Sequence, residues 1–90
     1  MRGISRSNRF KKDVELCQKQ GKDMTKLKTI IDILISGEAI PKHYNDHPLK
    51  GKYSGFRDLH IEPDWVMVYY IENNIVYLST TGSHAKILKM

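Results

Sequence analysis

A chain of 90 residues, 40% apolar and 28% charged, has the makeup of one modest globular domain, taken here as residues 1–90, with no length for a second lobe. Asp32 splits Ile30-Ile31 from Ile33-Leu34-Ile35, residues 65–71 are too short to cross a bilayer, and the basic start leads into Lys11-Lys12-Asp13, so the expectation is a cytoplasmic chain without a secretory signal. The net charge of +5 favours nucleic acid, anionic lipid or an acidic protein as partner, and a lone Cys17 excludes an internal disulfide.

Gly3-Ile4-Ser5 predicts a short edge strand. Ser7 then stands as N-cap of a helix whose Phe10, Val14 and Cys17 recur at i, i+4 and i+7 on one face, and Gly21 stops it. Asp23 caps a second helix with Met24, Leu27, Ile30, Ile31, Leu34 and Ile35 as its apolar stripe, ended by Gly37. Joined through Gly21-Lys22, the two helices form a hairpin too small to bury that stripe, so a sheet must cover it. Arg2, Arg6, Arg9, Lys11, Lys12, Lys19, Lys22, Lys26 and Lys28 crowd this first third. Such crowding reads either as a solvated helical face or as a phosphate-tracking surface.

Residues 38–55 show little periodicity and are punctuated by Pro41, His43, Asn45, His47, Pro48, Gly51 and Gly55, which predicts a long polar connection. Three strands are expected at 56–61, 65–71 and 75–81, the first pair joined tightly through Glu62-Pro63-Asp64 and the second through Glu72-Asn73-Asn74. Alternation places Leu59 and Ile61 on one face and Phe56, Asp58 and His60 on the other. Lys86-Ile87-Leu88-Lys89 reads as a short tail. The fold class is therefore α+β, an N-terminal helical hairpin packed on a mainly antiparallel sheet.

Candidate chemistry centres on the corner Leu59-His60-Ile61-Glu62-Pro63-Asp64-Trp65-Val66, near which His43, His47 and His84 can gather. Cutting RNA through its 2′-OH requires a base, an acid and positive charge facing the phosphorane oxygens. Imidazole suits the first two tasks because both of its protonation states are populated near neutrality, and cations suit the third. Taken singly, each histidine reads first as a surface or packing residue. His43 and His47 have i, i+4 spacing, but flanking Pro41 and Pro48 argue against a helical metal pair. Trp65, Tyr69, Tyr70 and Tyr77 sit in strands as packing residues, with Trp65 the one placed to stack on a base. Cys17 belongs to the core, and Gly82 permits a turn that swings His84 toward His60, unless it merely ends the strand.

Asp46-His47-Pro48-Leu49-Lys50-Gly51, then Gly55-Phe56-Arg57-Asp58-Leu59-His60-Ile61-Glu62-Pro63-Asp64-Trp65, then Thr81-Gly82-Ser83-His84 resemble in order the motifs of YafQ-type toxins in the RelE/ParE superfamily. The likeness covers nearly the whole chain. It implies a RelE-like twisted sheet under the helical hairpin and a ribosome-dependent mRNA endoribonuclease needing no metal and no organic cofactor. Its implied partners are a cognate antitoxin, mRNA on the ribosome and operator DNA through the antitoxin complex. His47, His60, Asp64 and His84 match its acid–base and positioning residues, with His60, oriented by Asp64, as base or phosphate ligand, His84 as general acid and His47 as a second proton-handling or phosphate-contacting group. Trp65 matches an active-site aromatic, and Arg57, Lys50, Lys52 and Lys86 are the accompanying phosphate contacts. Two positions depart from the pattern, Thr80 in place of an arginine and Leu88 in place of an aromatic. Loss of a guanidinium clamp leaves open a weak or inactive member that works by binding. A ParE-like inhibitor of a protein target is the other alternative.

Overall fold

Ser7 and Asp23 start the helices as their side chains dictate. The Ser7 hydroxyl accepts from the Phe10 amide at 2.9 Å, opening α1 (Asn8–Lys19), and the Asp23 carboxylate accepts from the Thr25 amide at 3.0 Å, opening α2 (Met24–Ser36). Gly37 closes α2 in the left-handed region, with φ of 82°. The computed structural model describes residues 1–88, without the side chains of Lys86 and Leu88.

Five strands follow the order β1-β5-β4-β3-β2. They are β1 (Gly3–Arg6), β2 (His47–Pro48), β3 (Arg57–Glu62), β4 (Trp65–Glu72) and β5 (Ile75–Ser83). Every neighbouring pair is antiparallel except β1 with β5, so the expected antiparallel sheet gains one parallel edge. Asn73 and Asn74, at φ of 52° and 64°, make the β4–β5 turn in the conformation that matches the twist of a tight hairpin.

The two faces of the sheet differ. Leu59, Ile61, Trp65, Met67, Tyr69, Val76 and Leu78 pack with Phe10, Cys17, Leu27, Ile30 and Leu34 of the helices. Val66 and Val68 point the other way, where Leu49, Phe56 and Ile87 cover them. Ile87 corrects the expectation of a tail, because residues from His84 to Leu88 form a short helix, α3, and fold back onto the sheet. At 4% exposure, Ile87 contributes on the order of 1.5–3 kcal/mol by leaving water, enough to hold so short a helix in place. Lys89 lies outside the described residues. The polar connection also has more order than its composition suggests, with 3-10 turns at Lys42–Tyr44 and Gly51–Tyr53 on either side of β2. Among the described residues no helix is long and apolar enough to cross a membrane.

Candidate active site at the histidine edge

Three separate segments deliver three imidazoles to the face turned away from the α1–α2 hairpin. β3 carries Asp58 and His60 on that face, and β2 pairs His47 directly with Asp58. His84 opens α3 just after β5, where its amide donates to the Asp64 carbonyl at 3.1 Å and ties it to the β3–β4 turn. The His47 and His60 rings lie 6.4 Å apart between centroids, and those of His60 and His84 lie 5.5 Å apart, each pair close to parallel. An open cleft of about 450 Å³ adjoins His60, bordered by His43, Asn45 and Glu62.

Beneath the imidazoles lies a carboxyl group that the sequence did not single out. Asp58 is 0% exposed, and its Oδ1 stands 2.8 Å from His47 Nε2. That approach is close but not aligned as a hydrogen bond, and among the described residues neither Asp58 oxygen has a hydrogen-bond partner. Burial pushes the Asp58 carboxyl above its ordinary value of 3.8, while the charges of His47, His60 and His84 pull the other way. His47 Nδ1 faces the Asn45 carbonyl at 2.7 Å. Both of its ring nitrogens therefore lie close to an oxygen, one the Asn45 carbonyl and the other the Asp58 carboxyl group. His60 is arranged differently. Its Nδ1 is 3.2 Å from the Pro63 carbonyl, which can only accept, so in the neutral ring that contact favours the tautomer with its lone pair on Nε2.

Several expected site residues take other places. Asp64 does not orient His60; the Pro63 carbonyl does, and the Asp64 side chain is exposed on the turn. Trp65 is 0% exposed beneath the helices, with its indole N–H donating to Thr81 Oγ1 at 3.0 Å, so it offers no face to a base. Arg57 is engaged in a fork onto Asp46, with NH2 at 2.8 Å and Nε at 3.2 Å from Oδ2, and Asp46 also accepts from the Tyr69 hydroxyl. The Asp46 hydrogen bond holds the guanidinium above its ordinary range. Lys50 and Lys52 are exposed around the Gly51–Tyr53 turn, and the Lys86 side chain lies outside the described residues. Thr80 is buried, its hydroxyl donating to Asp13 of α1. Among the described residues, no three His, Cys, Asp or Glu side chains are grouped to hold a metal ion.

A helical hairpin over a five-stranded sheet, with an acid–base cluster at one end, defines a RelE-like toxin domain. A family model for YafQ, a bacterial toxin of type II toxin-antitoxin systems, matches residues 2–89. The chain belongs to that family. It is 42% identical over 87 residues to the mRNA interferase toxin YafQ of Escherichia coli strain K12, covering 96% of this chain and 95% of the relative. The crystal structure of YafQ from E. coli strain BL21(DE3) superposes with a TM-score of 0.91 at 41% identity, over 97% of this chain and 98% of that one. YafQ in the E. coli DinJ-YafQ complex gives 0.89 at 42%, with the same coverage.

Proposed function

We propose that the chain is an mRNA interferase, the toxin of a type II toxin-antitoxin pair, cutting RNA by acid–base chemistry at the histidine edge. The observation that carries this reading is the gathering of His47, His60 and His84 around the buried Asp58. His60 Nε2 takes the proton of a ribose 2′-OH, and the 2′-oxygen attacks the adjacent phosphorus. His84 donates a proton to the 5′-oxygen as its bond to phosphorus breaks, leaving a 2′,3′-cyclic phosphate and a free 5′-hydroxyl. His47, close to the buried Asp58, is a further proton-handling group beside the phosphorane oxygens, and Asp64, exposed on the turn, meets the substrate directly. Lys50 and Lys52 stand where phosphates on either side would pass.

Message engaged on the ribosome is the substrate in the bacterial cytoplasm. A protein antitoxin of acidic or amphipathic character silences the toxin, and their complex binds operator DNA; the net charge of +5 suits all of these partners. DinJ in complex with the E. coli relative supports the antitoxin assignment. Primer extension on a message translated in an extract tests the reading. Wild-type protein should give discrete cuts in the reading frame, His60→Ala and His84→Ala should each lose roughly 10²–10⁴-fold in rate, and undiminished cutting by both would overturn it.

A further inference from the structure

The same sheet face carries a second feature further along the strands. Tyr70 and Tyr77, cross-strand neighbours on β4 and β5, stack with centroids 4.6 Å apart and planes 10° from parallel. Phe56 meets Tyr70 edge-on at 5.0 Å. These half-buried rings stand where no helix covers the sheet, and with Ser5, Ser7 and Ser79 they wall a cavity of about 270 Å³. That is below the roughly 300 Å³ at which sites for drug-sized ligands begin, and it suits one planar ring.

The rim of the cavity is polar. Ser7 is already committed, accepting from the Phe10 amide and donating to the Ser79 carbonyl at 2.7 Å. Ser79 is the residue skipped where the β4–β5 register shifts, since Tyr69 pairs with Leu78 and Val68 with Thr80. A bulge of this kind re-aims a side chain at the edge of a site. Ser5 lies opposite Tyr77 in the β1–β5 pairing, so a small hydroxyl faces the ring where a larger residue would close the space.

Position relates this cavity to the histidine edge. His60 pairs with Val66, and Tyr70 stands four residues along β4 on the same face. At about 3.4 Å per residue, the tyrosine stack lies ~13 Å from the histidine row, within the span of the roughly 4–16 nucleotides that one single-strand-binding module tracks.

We propose that the cavity walled by Phe56, Tyr70 and Tyr77 is a nucleobase subsite, which stacks a base of the same RNA strand a short distance from the scissile phosphate. The subsite deepens the nuclease reading and rests on it. Rings supply a sequence-tolerant platform, and Ser5 and Ser79 supply hydrogen bonds to the base edge.

Fluorescence anisotropy with a short fluorescein-labelled single-stranded RNA tests it, alongside message cleavage in a translating extract. Tyr77→Ala should weaken RNA binding by roughly 5- to 150-fold, the range that stacking one base supplies, whereas Tyr77→Phe keeps the ring and should bind as wild type. Ser5→Leu fills the cavity while leaving every ring in place, and it should weaken binding with no fall in melting temperature. RNA lacking the stacked base should bind wild type and Tyr77→Ala alike. Wild-type affinity in both Tyr77→Ala and Ser5→Leu overturns the proposal, as does a loss of antitoxin affinity with RNA affinity intact. Wild-type protein that fails to cut while these variants still lose affinity would instead remove the nuclease reading and leave the subsite standing.

Discussion

Removing the His47 imidazole leaves Asp58 as a buried carboxylate with no donor. Deleting one partner of a buried ion pair costs about 3–5 kcal/mol. The His47 side chain is 50% exposed, so its loss admits water to Asp58 and brings the expected cost of His47→Ala down to roughly 1–3 kcal/mol. In a domain of this size each kcal/mol moves the melting temperature by about 4–8 °C, which makes the shift on the order of 10 °C. The pH dependence has a definite sign. Because burial holds the folded Asp58 pKa above 3.8, the folded protein binds more protons than the unfolded chain between that value and the raised one. Stability from this group is complete below 3.8 and falls as pH rises through the window. His47→Ala removes the nearest positive charge, widens the window upward and so enlarges the deficit toward neutral pH. Asp58→Asn abolishes the titration, and the double variant should recover most of the loss. Melting curves by circular dichroism for both single variants and the double, taken from acid to neutral pH, decide the matter. A deficit that is flat with pH, or a double variant as unstable as the sum of the singles, would refute the pairing.

Arg57→Gln should lower stability by about 1–3 kcal/mol, since it removes the fork onto Asp46 that also holds the Tyr69 hydroxyl, while leaving RNA affinity near wild type in the anisotropy assay. Asp64→Asn keeps the carbonyl that receives the His84 amide, so thermal melts should not move while message cleavage falls by ~10-fold or more; unchanged cleavage would remove Asp64 from the substrate. Gly82→Ala brings a new Cβ to 3.3 Å from Ile87 Cδ1, so α3 must yield. A stability loss of roughly 1 kcal/mol is expected, with a larger proportional loss of cleavage because His84 moves with the helix.

Whether a feature was legible in the sequence depended on the range of the interactions that make it. Ser7 and Asp23 bond amides two or three residues away, so the starts of both helices could be read locally. Strand alternation separated Leu59 and Ile61 from Asp58 and His60, which is half of the site. The other half needed register. His60 pairs with Val66, so Val66 shares the histidine face and Trp65, its neighbour, must turn to the helices. Next to a proline turn Trp65 looked like an exposed corner, and only the pairing shows it as core. Asp58 escaped notice because its partner comes from a strand of two residues, His47–Pro48, inside a stretch without periodicity. The helix α3 escaped because its buried apolar anchor, Ile87, rests on Val66 and Val68 of a different element.

Position 80 shows what stands in place of the arginine of the YafQ pattern. The Thr80 hydroxyl is bonded to Asp13, and the following amide of Thr81 reaches the same carboxylate at 3.3 Å, so this part of β5 is fastened to α1. An arginine would have to bury its stem there or break that attachment. On the proposed mechanism, positive charge for a phosphorane must then come from other groups, of which Lys50 and Lys52 stand exposed just after β2. A guanidinium keeps its charge at any physiological pH, whereas an imidazole surrenders it within that range. Burial raises the Asp58 carboxyl while the charges of His47, His60 and His84 lower it, so the buried acid is coupled to all three imidazoles. Thr80 thus anchors the strand to α1 where the pattern has a cation, so any charge stabilisation at the histidine edge must come from side chains elsewhere.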